Sequence, residues 1–181
     1  MMMTSYIALD LETTGLESKT EKITEAAALK VIDGTVRERF VTLINPGRPI
    51  SEKITQLTGI TDEMVRTAPL MENVIGELLA FCEGLPLLGH NILFDYRFLK
   101  QAAVNSRLEC EFEAVDPLTL CRHLMPPDEK KNLSASSAWF QIPQSAAHRA
   151  EADAESAHLL YEKLKALYGK EREELFVPCP L

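Results

Sequence analysis

The chain has 181 residues, 46% of them hydrophobic and 25% charged, with a net charge of −8. That length suffices for one domain with a real core, and the composition is neither that of a disordered chain nor that of a membrane protein. No apolar run approaches the roughly 20 residues of a membrane-spanning helix. The acidic balance excludes a strongly basic clamp for long duplexes, because non-specific affinity for nucleic acid comes from Lys and Arg on phosphates. It leaves room for a site in which bound cations supply the positive charge. Cys82, Cys110, Cys121 and Cys179 are scattered without a CxxC pair and read as reduced, packed thiols. Met1 to Ser5 run straight into the first strand with no signal-peptide architecture, which points to the cytoplasm.

Tyr6-Ile7-Ala8-Leu9 is an apolar run that predicts a buried strand, closing on Asp10-Leu11-Glu12-Thr13-Thr14-Gly15. Lys22 to Ile32 is largely apolar, Asp33-Gly34 is a strong hairpin signal, and Thr35 to Ile44 is β-branched throughout, so the first three strands form a meander. Asn45-Pro46-Gly47 ends it. Pro49 to Ala68 reads as loop with short helical turns starting near Ser51 and Thr61. Leu70 to Glu83 has helical periodicity, Leu85 to Leu88 predicts a strand, and a helix follows carrying Asp95, Phe98, Leu99, Ala102 and Ala103 on one stripe. Phe112 to Val115 predicts another strand. Asp116-Pro117 starts a helix that ends at Pro126-Pro127, and Leu133 to Phe140 predicts a short helix with Trp139 and Phe140 as core anchors. The segment Ala146 to Asp153 feeds a long helix to about Tyr168, with Asp153, Ala157, Leu160, Leu164 and Leu167 on its buried stripe. The last residues are expected to lie on the surface, giving one domain over residues 1–172 and a tail over 173–181.

Strand alternation puts Asp10 and Glu12 on one face, where two carboxylates repel each other and resist desolvation unless a cation lies between them. Asp95 and Asp153 each head the apolar stripe of a helix. One inward acid has a bland explanation, as a first-turn residue favoured by the helix dipole; four of them, with His148 near the last, point to a shared site. An oxygen-rich, cysteine-free ligand set suits Mg²⁺ or Mn²⁺ rather than zinc. Several carboxylates can hold two such ions roughly 3.5–4 Å apart for in-line displacement at phosphorus. Histidine, which exchanges protons near neutral pH, suits the role of accepting the proton of the attacking water. The residues alone therefore lead to metal-dependent phosphoester hydrolysis.

Asp10-x-Glu12-Thr13-Thr14-Gly15, His90-Asn91-x-x-Phe94-Asp95 and His148-Arg149-Ala150-x-x-Asp153 resemble, in order and spacing, the three motifs of the DEDDh (DnaQ-like) 3′–5′ exonucleases of the proofreading, polymerase III epsilon-like type. The resemblance covers about Tyr6 to Leu167. It implies an α/β ribonuclease H-like fold, a five-stranded mixed sheet with helices on both faces. It also implies two divalent cations, Mg²⁺ or Mn²⁺, held by Asp10, Glu12 and Asp153, with Asp95 completing the acidic cluster and His148 as general base. On the substrate side it implies Thr13, Thr14 and Asn91, the loop with Leu57 and Thr58, and Phe94; Leu57 and Phe94 also read as ordinary core residues.

Two features depart from the family pattern. Asp116-Pro117-Leu118 stands where members often have Asp-Thr-Leu, and Asp116 reads as a helix cap. The chain stops soon after its last helix, which counts against a stable polymerase partnership while leaving the core surface for such contacts. The expected substrate is the 3′ end of single-stranded DNA, releasing 5′-mononucleotides. An RNA-trimming exoribonuclease is the alternative, and a catalytically silent nucleic-acid-binding module or a structural Ca²⁺ site are the readings from other classes. No membrane partner is expected, and monomer and homodimer both stay open.

Overall fold

In the computed structural model, which describes residues 1–145 and 148–181, the first strand β1 (Tyr6–Thr13) lies inside a mixed sheet. Ala146 and Ala147, which open the segment leading to the last helix, fall outside the described residues. Strand alternation gives the sheet an apolar core on each face. Ile7, Leu9 and Leu11 enter one, with residues of α3 (Ile75–Cys82) and α4 (Ile92–Asn105). Tyr6 and Ala8 enter the other, with α5 (Pro117–Leu124) and α7 (Ala150–Tyr168). By the same period of two, Asp10 and Glu12 continue the row that starts at Tyr6.

β2 (Ile23–Ile32) and β3 (Thr35–Leu43) form the predicted meander with β1, all antiparallel. Asp33 and Gly34 turn the hairpin with φ of 48° and 77°, the positive pair that a type I′ turn requires. β4 (Leu87–Leu88) pairs parallel to β1, and β5 (Glu113–Val115) parallel to β4. The sheet order is β3-β2-β1-β4-β5-β6, six strands where the sequence predicts five. The sixth, β6 (Cys179–Pro180), comes from the expected tail and pairs antiparallel with β5. Phe176 in the same segment is fully buried, and the Leu181 N–H donates to the Phe112 carbonyl at 3.0 Å. A two-residue strand has no alternation to read, so this edge is invisible in sequence.

The short helices α1 (Glu52–Thr58) and α2 (Asp62–Val65) start where expected: Ser51 Oγ accepts from the Ile54 N–H, and Thr61 Oγ1 from the Met64 N–H. The helix expected over 70–83 is split into a 3₁₀ turn at Met71–Asn73 followed by α3. α6 (Leu133–Trp139) corrects one core assignment: Trp139 is 48% exposed, while Phe140 is buried. Phe140, the residue that caps α6, packs into the core on the α5 and α7 side, while Trp139 before it faces outward. Among the described residues no helix is long and apolar enough to cross a membrane.

Candidate active site

Asp10 and Glu12 leave the C-terminal half of β1 on the α7 face, and Asp153 meets them from the first turn of α7. Each of the three offers an oxygen within 4.8 Å of the others. Asp10 Oδ2 is closed off from solvent and has no hydrogen-bond partner. Burial raises the Asp10 pKa well above the usual carboxylate range, reinforced by the charges of Asp95, Glu12, Asp153 and Glu25. Burial likewise pushes Glu12 up to about 8, with Asp153, Glu25 and Asp95 adding to it and Arg149 opposing. Asp153 is raised by burial and partly offset by the His148 N–H. An orphaned buried oxygen in an all-oxygen, acidic donor set fits a hard divalent cation, which turns this repulsion into ligation.

Asp95 arrives from the opposite face of the sheet. β4 ends at Leu88, opposite Ala8, so β1 runs on without a neighbour on that side. The Leu11 N–H in this unpaired stretch donates to Asp95 Oδ1 at 2.8 Å. Asp95 therefore substitutes for the missing strand and stands beside Asp10. Burial raises its pKa, while the Leu11 N–H pulls it down. It lies outside the close group of three. Asp116 is the cap that the sequence predicts: Oδ1 accepts from the Leu118 N–H at 2.8 Å and from the Asn91 N–H at 2.9 Å.

His148 sits just before α7, exposed, with φ of 63°. A left-handed conformation at a non-glycine residue costs about 1 kcal/mol or more and persists only where its surroundings hold it. The His148 N–H donates to Asp153 Oδ1 at 3.3 Å. The next two residues are fastened to Glu25 of β2, which lies opposite Glu12 in the ladder and is 3% exposed. Glu25 Oε1 accepts from Arg149 Nε at 3.0 Å and from the Ala150 N–H at 2.8 Å, and Oε2 from Arg149 Nη2 at 2.6 Å. No motif marks Glu25 in the sequence. Its one signal is a lone acid inside the apolar run of β2.

The predicted substrate-side residues are distributed unevenly. Thr13 Oγ1 donates to the Gly15 carbonyl at 2.6 Å. Thr14 Oγ1 donates to Glu21 Oε2 at 2.5 Å and accepts from the Lys22 N–H at 2.9 Å. Both hydroxyl hydrogens are thus engaged in shaping the turn after β1. Thr58 is buried, its hydroxyl donating to the Ile54 carbonyl. Its neighbour Leu57 is 51% exposed and so is not a core residue. Both belong to α1, beside a small separate core of Ile50, Ile60 and Val65. Phe94 is half-buried against Phe98, with ring centroids 5.1 Å apart. Asn91 is exposed and left-handed, with φ of 63°.

The family model described as exonuclease (RNase_T) matches residues 7–161. The DNA polymerase III PolC-type protein of Caldanaerobacter subterraneus subsp. tengcongensis is 36% identical over 159 residues, covering 88% of this chain and 11% of that protein. Its counterpart in Lacticaseibacillus paracasei is 37% identical over 169 residues, covering 91% of this chain and 12% of that protein. The chain thus spans only about a ninth of the length of these curated relatives. Among solved structures, exonuclease X in complex with 5′ overhanging duplex DNA superposes with a TM-score of 0.70 at 27% identity, covering 93% of this chain and 95% of that one. Escherichia coli exonuclease I in complex with a dT13 oligonucleotide gives 0.79 at 18% identity, covering 96% of this chain and 42% of that one, a likeness of fold.

Proposed function

This chain belongs to the RNase_T family of DnaQ-like exonucleases, and we propose that it hydrolyses phosphodiester bonds from the 3′ end of single-stranded DNA, releasing 5′-mononucleotides. The observation that carries this reading is the convergence of Asp10, Glu12 and Asp153 within 4.8 Å of one another. These three residues would hold two divalent cations, Mg²⁺ or Mn²⁺. When bound, such ions polarise the scissile phosphate and neutralise the charge that develops on it during in-line displacement.

The residues of the chain do the rest. Asp95 holds the end of β1 through the Leu11 N–H, and so fixes the two acids on either side of it. His148, exposed at the entrance to α7, accepts the proton of the attacking water and passes it to solvent. Asp153 orients the His148 backbone from behind. Leu57 and Phe94 offer apolar surface to the terminal nucleotide, and Thr13 and Thr14 act through the backbone of their turn.

DNA is favoured over RNA because the relatives at 36–37% identity are DNA polymerases and exonuclease X was solved with duplex DNA. The same relatives make a replicative polymerase the partner class to test. The test is product analysis with 3′-labelled and 5′-labelled oligonucleotides, DNA and RNA, in Mg²⁺ or Mn²⁺. The expected result is mononucleotide release from the 3′ end of DNA, abolished by chelation and by Asp10→Asn. Release from the 5′ end, or release that survives both treatments, contradicts the reading; faster trimming of RNA reassigns the substrate.

A further inference from the structure

We infer that Glu25 and Arg149 form a positioning latch that sets the place of His148; this rests on the reading of His148 as general base. Four observations support it. Glu25 is buried in β2, directly across the ladder from Glu12, so it is anchored in the sheet beside the acids. It is not one of the three clustered carboxylates. Its acceptor capacity is directed instead at Arg149, through Nε and Nη2, and at the first N–H of α7 on Ala150. Arg149 immediately follows His148, whose left-handed backbone must be held from outside.

An acid in this place has a cost that a purely structural cap would not require. The Glu25 charge adds to the repulsion on Asp10, Glu12 and Asp153. Arg149 answers it with the planar fork that matches a carboxylate through two parallel N–H bonds, a geometry that Lys cannot supply. The pair is neutral as a unit, so it fastens the turn at His148 to β2 without adding net charge to the site. Asp153 is held independently, by the backbone of α7, where its N–H donates to the Arg149 carbonyl at 3.0 Å. The latch thus fixes the base relative to the acids. Arg149 is a positioning residue, and it does not touch the reacting atoms.

The test compares Arg149→Met, Glu25→Gln and their double variant with wild type, each in the His148 and the His148→Ala background. Glu25→Gln/Arg149→Met leaves no buried charge unpaired, so it serves where the single Arg149 variant fails to fold. The expected result is a loss of kcat on the order of 10- to 100-fold for Arg149→Met, as for a misplaced catalytic group. Oligonucleotide KM and calorimetric Mn²⁺ affinity stay at wild-type values. The double variant is no worse than the worse single, because the residues act as one unit. Guanidinium added to Arg149→Ala restores part of the turnover, and Arg149→Lys does so less well than Arg. In the His148→Ala background the latch variants have no further effect. An equal loss in both backgrounds overturns the latch while leaving His148 as base, and so does a raised oligonucleotide KM with kcat intact, which would place Arg149 on the strand. Wild-type turnover in His148→Ala itself instead overturns the reading of His148 on which the latch rests.

Discussion

β1 and α7 meet at both ends, and the two meetings differ in kind. At the N-terminal end of β1, the Tyr6 hydroxyl lies 2.7 Å from His158 Nδ1 and donates to Glu162 Oε1 at 2.8 Å, while Lys165 Nζ donates to the same oxygen at 2.9 Å. With the hydroxyl hydrogen on Glu162, Nδ1 of His158 supplies the hydrogen of the other bond. Burial lowers the His158 pKa, and Glu162 has its cation in Lys165. At the C-terminal end the same row of side chains delivers Asp10 and Glu12 to Asp153, where the acids raise one another's pKa. Arg149 is already paired with Glu25. The same two elements therefore build one polar cluster that is complete and one that is complete only with ions added. A satisfied network holds a fold together; an unsatisfied one at equal depth marks a site that binds something.

The largest effects should appear where the contrast is sharpest. Asp10→Asn or Asp153→Asn should lower turnover on the order of 10³-fold or more, since several kcal/mol of metal-based stabilisation are lost. The same Asp10→Asn should raise the melting temperature of the metal-free protein by at least about 2 °C, because it removes a buried charge from a repelling group. Stabilisation by loss of the central acid separates a site from a structural network. A lower melting temperature in this variant would mean that Asp10 supports the fold.

His148→Ala should lower kcat roughly 10²- to 10³-fold, as for loss of a general base, with Mn²⁺ affinity measured by calorimetry unchanged. Equal losses of turnover and metal affinity would merge His148 with the acids rather than set it apart.

Next comes pH. The folded pKa of Glu12 is raised from 4.5 to about 8, so its contribution to stability is fully present below pH 4.5 and is lost as pH rises through about 8. The melting temperature of metal-free wild type should therefore fall more steeply across this window than that of Glu12→Gln. Saturating Mg²⁺ should remove the difference, because the bound ion favours the ionised form. Parallel curves for the two metal-free proteins would count against the repulsion.

The smallest effect belongs to the other end. Tyr6→Phe leaves Glu162 and His158 short of a partner and should cost about 1–3 kcal/mol in chemical denaturation, with turnover untouched. A variant that loses activity without losing stability would tie the Tyr6 end to catalysis and erase the contrast.

The acids were legible in the sequence because direction is encoded by period. Alternation along β1 puts Asp10 and Glu12 on one face, and the stripes of α4 and α7 turn Asp95 and Asp153 inward. The closeness of Asp10, Glu12 and Asp153 follows from the strand and the helix crossing, which the three motifs together implied. What pattern could not reveal lies where tertiary pairing decides. Glu25 looks like an interruption of an apolar strand until Arg149 is seen beside it. The hold of Asp95 on the Leu11 N–H depends on the early end of β4, which no local pattern announces. Thr13 and Thr14 look like free hydroxyls until their turn closes on Gly15 and Glu21. Cys179–Pro180 has no pattern at all and is a strand only because β5 offers it an edge.

The most direct measurement of the metal site is anomalous diffraction from crystals grown with Mn²⁺. An anomalous peak bounded by the carboxylates of Asp10, Glu12 and Asp153, with metal–oxygen distances of about 2.1 Å, and absent from Asp10→Asn crystals, is the predicted result. An active enzyme whose Mn²⁺ peak lies elsewhere, or persists unchanged in Asp10→Asn, would contradict the account.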